Sequence, residues 1–257
     1  MSLLAITRQP GGRLSEGEVT HIERTPVDVV GARRQHAAYE AALREAGAVV
    51  ESLPPNDELP DSCFVEDTAI VTDELAVVTA LGAESRTREA DLMEPVLRAH
   101  REVVRMRRPA SMDGGDVLRI GRTFFVGLTA RTNEAGAAFL GDALRPHGYE
   151  VRTVEVVGAL HLKTAATYLP NQDLLLANRD WVDPDAFGEF ADVVRTAPEE
   201  PFGANALVAG ERIFLAASAP RMLDVLGARG IAVSALDISE FQKMEAGMTC
   251  LSLLLQA

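Results

Sequence analysis

The chain has 257 residues, 47% hydrophobic and 25% charged, with a formal net charge of −13, which suits a water-soluble globular protein read as one domain over residues 1–257. The acidic balance argues against nucleic acid as the main partner and favours approach of a cationic small molecule. No apolar run reaches membrane-span length, the opening "MSLLAITRQPGGR" lacks a signal-peptide pattern, and two distant cysteines make no disulfide framework, so a cytoplasmic, reducing setting with no membrane partner is expected.

In chain order, "LLAITRQPGGR" reads as a strand and polar turn, followed by a helix and strand in "DVVGARRQHAAYEAALREAGAVVESL". There Ala37, Tyr39, Ala41 and Leu43 mix with charges, and Gly47 marks the stop. A second strand and helix follow in "LAVVTALGAESR" and "EADLMEPVLRAH". A third unit has "RTFFVGLTARTN", whose apolar run has strand length, and then "EAGAAFLGDALRPHGYEVRTVEV". A weaker fourth has "DLLLANRDWVDP" and "AFGEFADVV", and a fifth "RIFLAASAPR" and "RMLDVLGARGIAVSALDI". Recurrence at several tens of residues predicts a closed or stacked α/β repeat rather than one doubly wound sheet. No G-x-G-x-x-G opens a helix, so a dinucleotide fold has no support. The polar turn after each first strand would gather polar groups around a common axis.

Some polar residues interrupt apolar stretches. "LPDSCFVEDTAIV" (59–71) carries Asp61, Glu66 and Asp67. As an extended strand it would turn Asp61, Cys63, Val65 and Asp67 one way and Glu66 the other. A surface turn with solvated acids is the plainer reading of this stretch alone, because buried unpaired carboxylates are costly. "SMDGGDVLRIG" (111–121) sets Asp113 and Asp116 around two glycines, which alone reads as a turn. "GALHLKTAATYL" (158–169) places His161 inside a strand-like run, whereas His21, His36, His100 and His147 read as solvated. "MEAGMTCLSLLLQA" (244–257) reads as a last core strand holding Cys250. A buried free cysteine is usually inert filler. A histidine on one strand facing a cysteine on another is what thiol catalysis needs. No C-x-x-C, H-x-x-x-H or G-x-S-x-G occurs, so neither a metal site nor a serine triad is expected.

"PDSCFVEDTAIV", "GAESR", "DGGDVL", "VGLTARTNEAG", "LHLKTA" and "GMTCLSL", preceded by "THIERTPVD", occur in this order. Together they resemble the dimethylarginine dimethylaminohydrolase family over essentially the whole chain. The resemblance implies a pentein, a five-bladed pseudo-symmetric α/β propeller around an axial site. It implies hydrolysis of Nω-methylated L-arginine to citrulline and a methylamine, without metal or organic cofactor. Carried over, Cys250 is the nucleophile, His161 the general acid–base and Asp113 its acidic partner. Asp61, Glu66 and Asp67 would hold the guanidinium and amino ends, and Arg86 and Arg131 the carboxylate. The backbone at Glu18 and Met244 would also contact substrate. Glu18 stands where the family resemblance leads one to expect an apolar residue, and Cys63 where a valine is frequent. The same residues would serve another Nω-substituted arginine, such as Nω-hydroxyarginine. A non-catalytic binding protein of this fold should lack the cysteine–histidine pair and the arginines. A homodimer is the default assembly.

Overall fold

The computed structural model describes residues 2–190 and 192–256. Among them, fifteen strands make five three-stranded sheets. The second to fifth sheets are consecutive in sequence. They comprise β3 (Ala69–Val71), β4 (Leu75–Val78) and β5 (Glu102–Arg105); β6 (Val117–Ile120), β7 (Thr123–Leu128) and β8 (Glu150–Glu155); β9 (Ala166–Leu169), β10 (Leu174–Ala177) and β11 (Asp192–Arg195); and β12 (Ala206–Ala209), β13 (Arg212–Ala216) and β14 (Val233–Leu236). The first sheet joins the two ends of the chain: β15 (Leu253–Gln256) pairs antiparallel with β1 (Leu3–Arg8), which pairs parallel with β2 (Ala48–Leu53). Every sheet has this pattern, an inner strand antiparallel to a middle strand that runs parallel to an outer one. The parallel step needs a crossover. Helices α1 (Val29–Glu45), α2 (Thr87–Arg98), α3 (Glu134–Leu144) and α5 (Pro220–Ala228) supply it in four units; α4 (Leu162–Ala165) and α6 (Ser239–Gln242) are single turns.

The five-unit ring agrees with the recurrence in the sequence, with three corrections. Each unit has an additional short inner strand, ahead of the core in four units and contributed by the chain's last strand in the first. Among the described residues no α-helix joins β10 to β11: Pro184 and Gly188 bound a 3₁₀ turn, Pro184–Phe187, where "AFGEFADVV" suggested a helix. In α1 the buried stripe is Ala32, His36, Tyr39 and Leu43, at helical spacing, while Ala37 and Ala41 are exposed. His36 is therefore buried rather than solvated, 3.6 Å from Glu40. The predicted stop at Gly47 is present, with φ +89°. Asp28 caps α1 by accepting from the Val30 N–H, and Asn133 caps α3 by accepting from Gly136.

The core lies between neighbouring sheets. Leu4 and Ile6 of β1 and Leu253 and Leu255 of β15 pack with Ala76 and Val78 of β4 and Met93 of α2. Four comparable clusters fill the other seams. Each large aliphatic chain buried there contributes about 1.5–3 kcal/mol. The five inner strands surround an axial cavity of about 360 Å³, lined by residues such as Ile70, Leu118, Tyr168, Val208 and Leu254. No helix among the described residues is long and apolar enough to cross a membrane.

Candidate functional site

A short turn precedes each inner strand, and these turns meet at one end of the ring. Val65–Thr68 leads into β3, Gly114–Asp116 into β6, α4 into β9, Pro201–Ala204 into β12 and Thr249–Leu251 into β15. The stretch 59–71 is thus not one extended strand, His161 caps α4 rather than lying within a strand, and Cys250 sits in a 3₁₀ turn just before the last strand. These turns are three or four residues long, too short for alternation or helical spacing to repeat, so periodicity could not reveal them.

Glu18, Asp61, Asp67, Arg86, Arg131, His161, Met244 and Cys250 line one pocket, with Phe64, Leu160, Glu245 and Ala246. Asp113 lies fully buried behind it, its Oδ2 3.1 Å from His161 Nε2. The Asp67 Oδ1 is 3.9 Å from His161 Nδ1. Burial lowers the His161 pKa, but Asp67, Asp116 and Asp113 outweigh it and raise the imidazole to about 9. Burial likewise raises Asp67, yet His161 and Arg86 dominate and hold it at about 2. Close approach at Gly115 makes this arrangement feasible: a Cβ there would lie 2.6 Å from His161 Nδ1.

Cys250 is 8% exposed, and its Sγ accepts from the Gly247 N–H at 3.3 Å. Burial, then Glu66 and Asp67, push its thiol far up. The resting thiol is therefore protonated and requires a cation beside it to become a nucleophile. Cys63 is also a free cysteine, fully buried, and burial and Asp61 push it up as well.

The acids and arginines divide their tasks. Both Asp61 oxygens accept from the Glu18 N–H, at 3.0 and 3.2 Å, tying the first-turn segment to the site. Burial raises Asp61 against the pull of Arg86. The Glu18 carboxylate accepts from Ser85 Oγ, beside Arg86. Arg86 pairs with Asp67 at 2.7 Å and with Glu89 at 2.9 Å, and also donates to Phe64 O. Arg131 is 7% exposed; its Nη2 reaches Thr20 Oγ1 at 3.3 Å, while its buried Nη1 has no hydrogen-bond partner among the described residues. Glu66 does not line the pocket. It faces the axial cavity, bound to Lys163 Nζ at 2.5 Å and Thr249 Oγ1 at 2.8 Å.

Asp67, Asp113 and His161 also offer three potential metal-ligand atoms within 4.8 Å of one another. They come from three different turns, so linear spacing could not display the group. Here the oxygens of Asp67 already accept from Gly115 N and Arg86 Nη1, and Asp113 accepts from Gly82 N.

Four supporting residues were not singled out as site residues from the sequence. Asp116, fully buried and raised by that burial to about 6, accepts from Thr129, Thr132 and the Leu162 N–H, anchoring the turn that bears His161. Its only signal was its place as the second acid of "DGGD". Glu89, raised by burial to about 7, orients Arg86 from the first turn of α2. Glu245 accepts from the Thr20 and His21 N–H groups at 2.5 Å each. Asn205 reaches two of the turns at once.

Known proteins resemble this chain over most of its length. An arginine deiminase family model matches residues 54–169. An N(G),N(G)-dimethylarginine dimethylaminohydrolase from Streptomyces coelicolor is 41% identical over 254 residues, covering 98% of this chain and 96% of that protein. Its namesake from Pseudomonas aeruginosa is 34% identical over 250 residues, covering 96% and 97%. A solved structure of the Pseudomonas aeruginosa enzyme complexed with citrulline superposes with a TM-score of 0.94 at 33% identity, covering 99% of this chain and 100% of that one. The N-terminal domain of a cyanobacterial arginine dihydrolase, with a TM-score of 0.86 at 17% identity over 100% and 98% of the two chains, shares the fold. The five-unit α/β propeller is therefore a pentein, and the chain belongs to the dimethylarginine dimethylaminohydrolase family.

Proposed function

We propose that the protein hydrolyses Nω-methylated L-arginine to L-citrulline and a methylamine, with Cys250 as nucleophile and His161 as general acid–base. The observation that carries this reading is the pairing of a protonated, buried thiol with acids at one part of the pocket and, at another, an arginine whose Nη1 makes no hydrogen bond among the described residues and has only a 3.9 Å ion pair to Asp113. A guanidinium held against Asp67 would bring positive charge next to Cys250 and favour its thiolate. The Arg131 Nη1, 3.9 Å from Asp113 and without a hydrogen bond among the described residues, takes the carboxylate of an amino acid, an ion-pairing role that suits guanidinium.

The chemistry follows from those positions. As the guanidinium binds, the Cys250 thiol gives up its proton to solvent, and the thiolate attacks the guanidinium carbon, giving a tetrahedral adduct. Collapse expels the methylamine, which takes a proton from the imidazolium of His161, and leaves an S-alkylthiouronium on Cys250. Neutral His161 then removes a proton from water, whose oxygen attacks the same carbon. Cys250 departs as thiolate, the proton of the new C–OH group returns to the sulfur, and citrulline is released beside the resting thiol. Asp113 and Asp67 keep the imidazole cationic for the first half-reaction. The mechanism uses no organic cofactor and requires a reduced Cys250, which fits a cytoplasmic setting.

The test is citrulline release from asymmetric dimethylarginine, monomethylarginine, Nω-hydroxyarginine and arginine, with Cys250→Ser as control. Methylated substrates are expected to dominate and the variant to be silent. Preference for hydroxyarginine would move the assignment to another Nω-substituted arginine, and equal rates for the variant would end the covalent mechanism.

A further inference from the structure

Four of the five turns at the site end carry groups of the proposed chemistry: Asp67, Asp113, His161 and Cys250. The fifth, before β12, presents Asn205, which that chemistry does not use. Asn205 is 3% exposed. Its Nδ2 donates to Lys163 O at 2.8 Å and to Thr249 Oγ1 at 3.2 Å, and its Oδ1 accepts from the Thr249 N–H at 3.2 Å. Lys163 is two residues beyond His161, and Thr249 directly precedes Cys250. On the reading of Cys250 and His161 given above, we propose that Asn205 is a positioning residue that sets the nucleophile turn against the acid–base turn.

Two further contacts support this. Thr249 Oγ1 donates to Glu66 Oε2, and Glu66 Oε1 is held by Lys163 Nζ, so the chain of contacts closes on itself through Asn205. Gly247, whose N–H points at the Cys250 sulfur, presses on the same amide: a Cβ there would lie 2.3 Å from Asn205 Oδ1. The amide is suited to this place because it donates and accepts at once; aspartate can only accept, and an aliphatic side chain would leave the Thr249 N–H and Lys163 carbonyl without a partner in a buried site.

The test compares Asn205→Ala, Asn205→Asp, Thr249→Val and the double variant Asn205→Ala/Thr249→Val, each checked for folding by thermal melt. Asn205→Ala is expected to lose about 100-fold in kcat, the scale of a misplacement near 1 Å. Substrate affinity, measured by calorimetry with Cys250→Ser added, is expected to stay within about threefold, since the group acts on reaction geometry and not on ground-state binding. Asn205→Asp should fall between, and the double variant should lose less than the sum of the single losses, as residues sharing one network do. An unchanged kcat, or an affinity loss as large as the kcat loss, overturns the proposal. Alkylation of Cys250 by iodoacetamide, read by peptide mass, is independent of the substrate assignment. The freed turn should react about fivefold faster in Asn205→Ala, with Asn205→Asp intermediate, because local opening governs access. If the wild type releases no citrulline from any guanidine, the functional reading falls, and equal alkylation rates would then reject the Asn205 role on their own. If Asn205→Ala does not fold, Asn205→Asp and Thr249→Val decide by the same criteria.

Discussion

Cys250 and His161 share a pocket, yet the shifts on each come from other groups. The thiol is pushed up by burial and by Glu66 and Asp67, while the imidazole is held up by Asp67, Asp116 and Asp113 against burial. The resting pair is therefore thiol and imidazolium, the pairing that the proposed mechanism starts from. The attraction between His161 and Asp67 sets two pH limits. Raised from 6.5 to about 9, His161 contributes stability that is full below pH 6.5 and is lost as pH climbs through 9. Lowered from 3.8 to about 2, Asp67 contributes stability that is full above pH 3.8 and fades as pH falls toward 2. Replacing Asp113 by Asn removes one of the three acids facing the imidazole. Titration of His161 followed by NMR should show the wild-type midpoint near 9 and a lower one, still above 6.5, in Asp113→Asn. The variant should lose about 10²-fold in kcat, the lower range for misplacing an acid–base group. A midpoint that does not move would show that Asp113 only fills space.

At the scale of the element, the decisive units are turns of three or four residues. The sequence disclosed that acids, a histidine and a cysteine interrupt apolar stretches, and the family resemblance put roles on them. It did not disclose that 65–68, 114–116 and 249–251 are 3₁₀ turns, because alternation and helical periodicity both need longer runs. His36 was misread for a related reason: charged neighbours on α1 made it look like part of the polar face, although its spacing from Ala32 and Tyr39 puts it on the buried one. Gly115 shows what a turn contributes. Its missing side chain is the space His161 occupies, so Gly115→Ala should cost at least about 100-fold in kcat, as expected for displacement of a catalytic group. A crystal structure of the variant should show the imidazole moved away from Asp113; an unmoved ring with full activity would contradict the steric account. The first-turn segment offers a second case. Its N–H groups at Glu18, Thr20 and His21 are held by Asp61 and Glu245. Glu245→Ala removes two of those three contacts while leaving Asp67, His161 and Cys250 in place. KM should rise about tenfold with kcat within about threefold, the pattern of lost ground-state binding, and trypsin should cut faster at Arg13 or Arg24. Unchanged KM and proteolysis would mean that the segment holds its place without Glu245.

Across the whole molecule, the ring was legible because its units repeat, and its closure was not, because closure joins segments from opposite ends of the chain. β15 is the inner strand of the first sheet, paired with β1 in the register Leu255↔Leu4 and Leu253↔Ile6. Cys250 lies just ahead of it, so the proposed nucleophile is held by the same strand that seals the ring. Leu255 is 2% exposed and packs in the seam with Leu4, Ile6 and Val78. Leu255→Ala should cost about 2–5 kcal/mol, the range for such a truncation in a core, and the loss should fall first on the closing strand. Trp181, the single tryptophan, lies in the fourth unit and packs in a cluster that contains no residue of β1 or β15, so it reports unfolding of a different seam from the closing one. In a urea titration of the wild type, loss of activity and change in Trp181 fluorescence should coincide, as they do for a two-state domain. In Leu255→Ala, activity should disappear at lower urea than the fluorescence change, because β15 and Cys250 leave their places while the fourth unit stays folded. Leu226→Ala, a fully buried truncation in the seam of α5, is the control: it lowers stability without loosening β15, so its two transitions should stay together. Coincident transitions in Leu255→Ala would mean that the ring opens all at once, and that the last strand has no separate hold on the nucleophile.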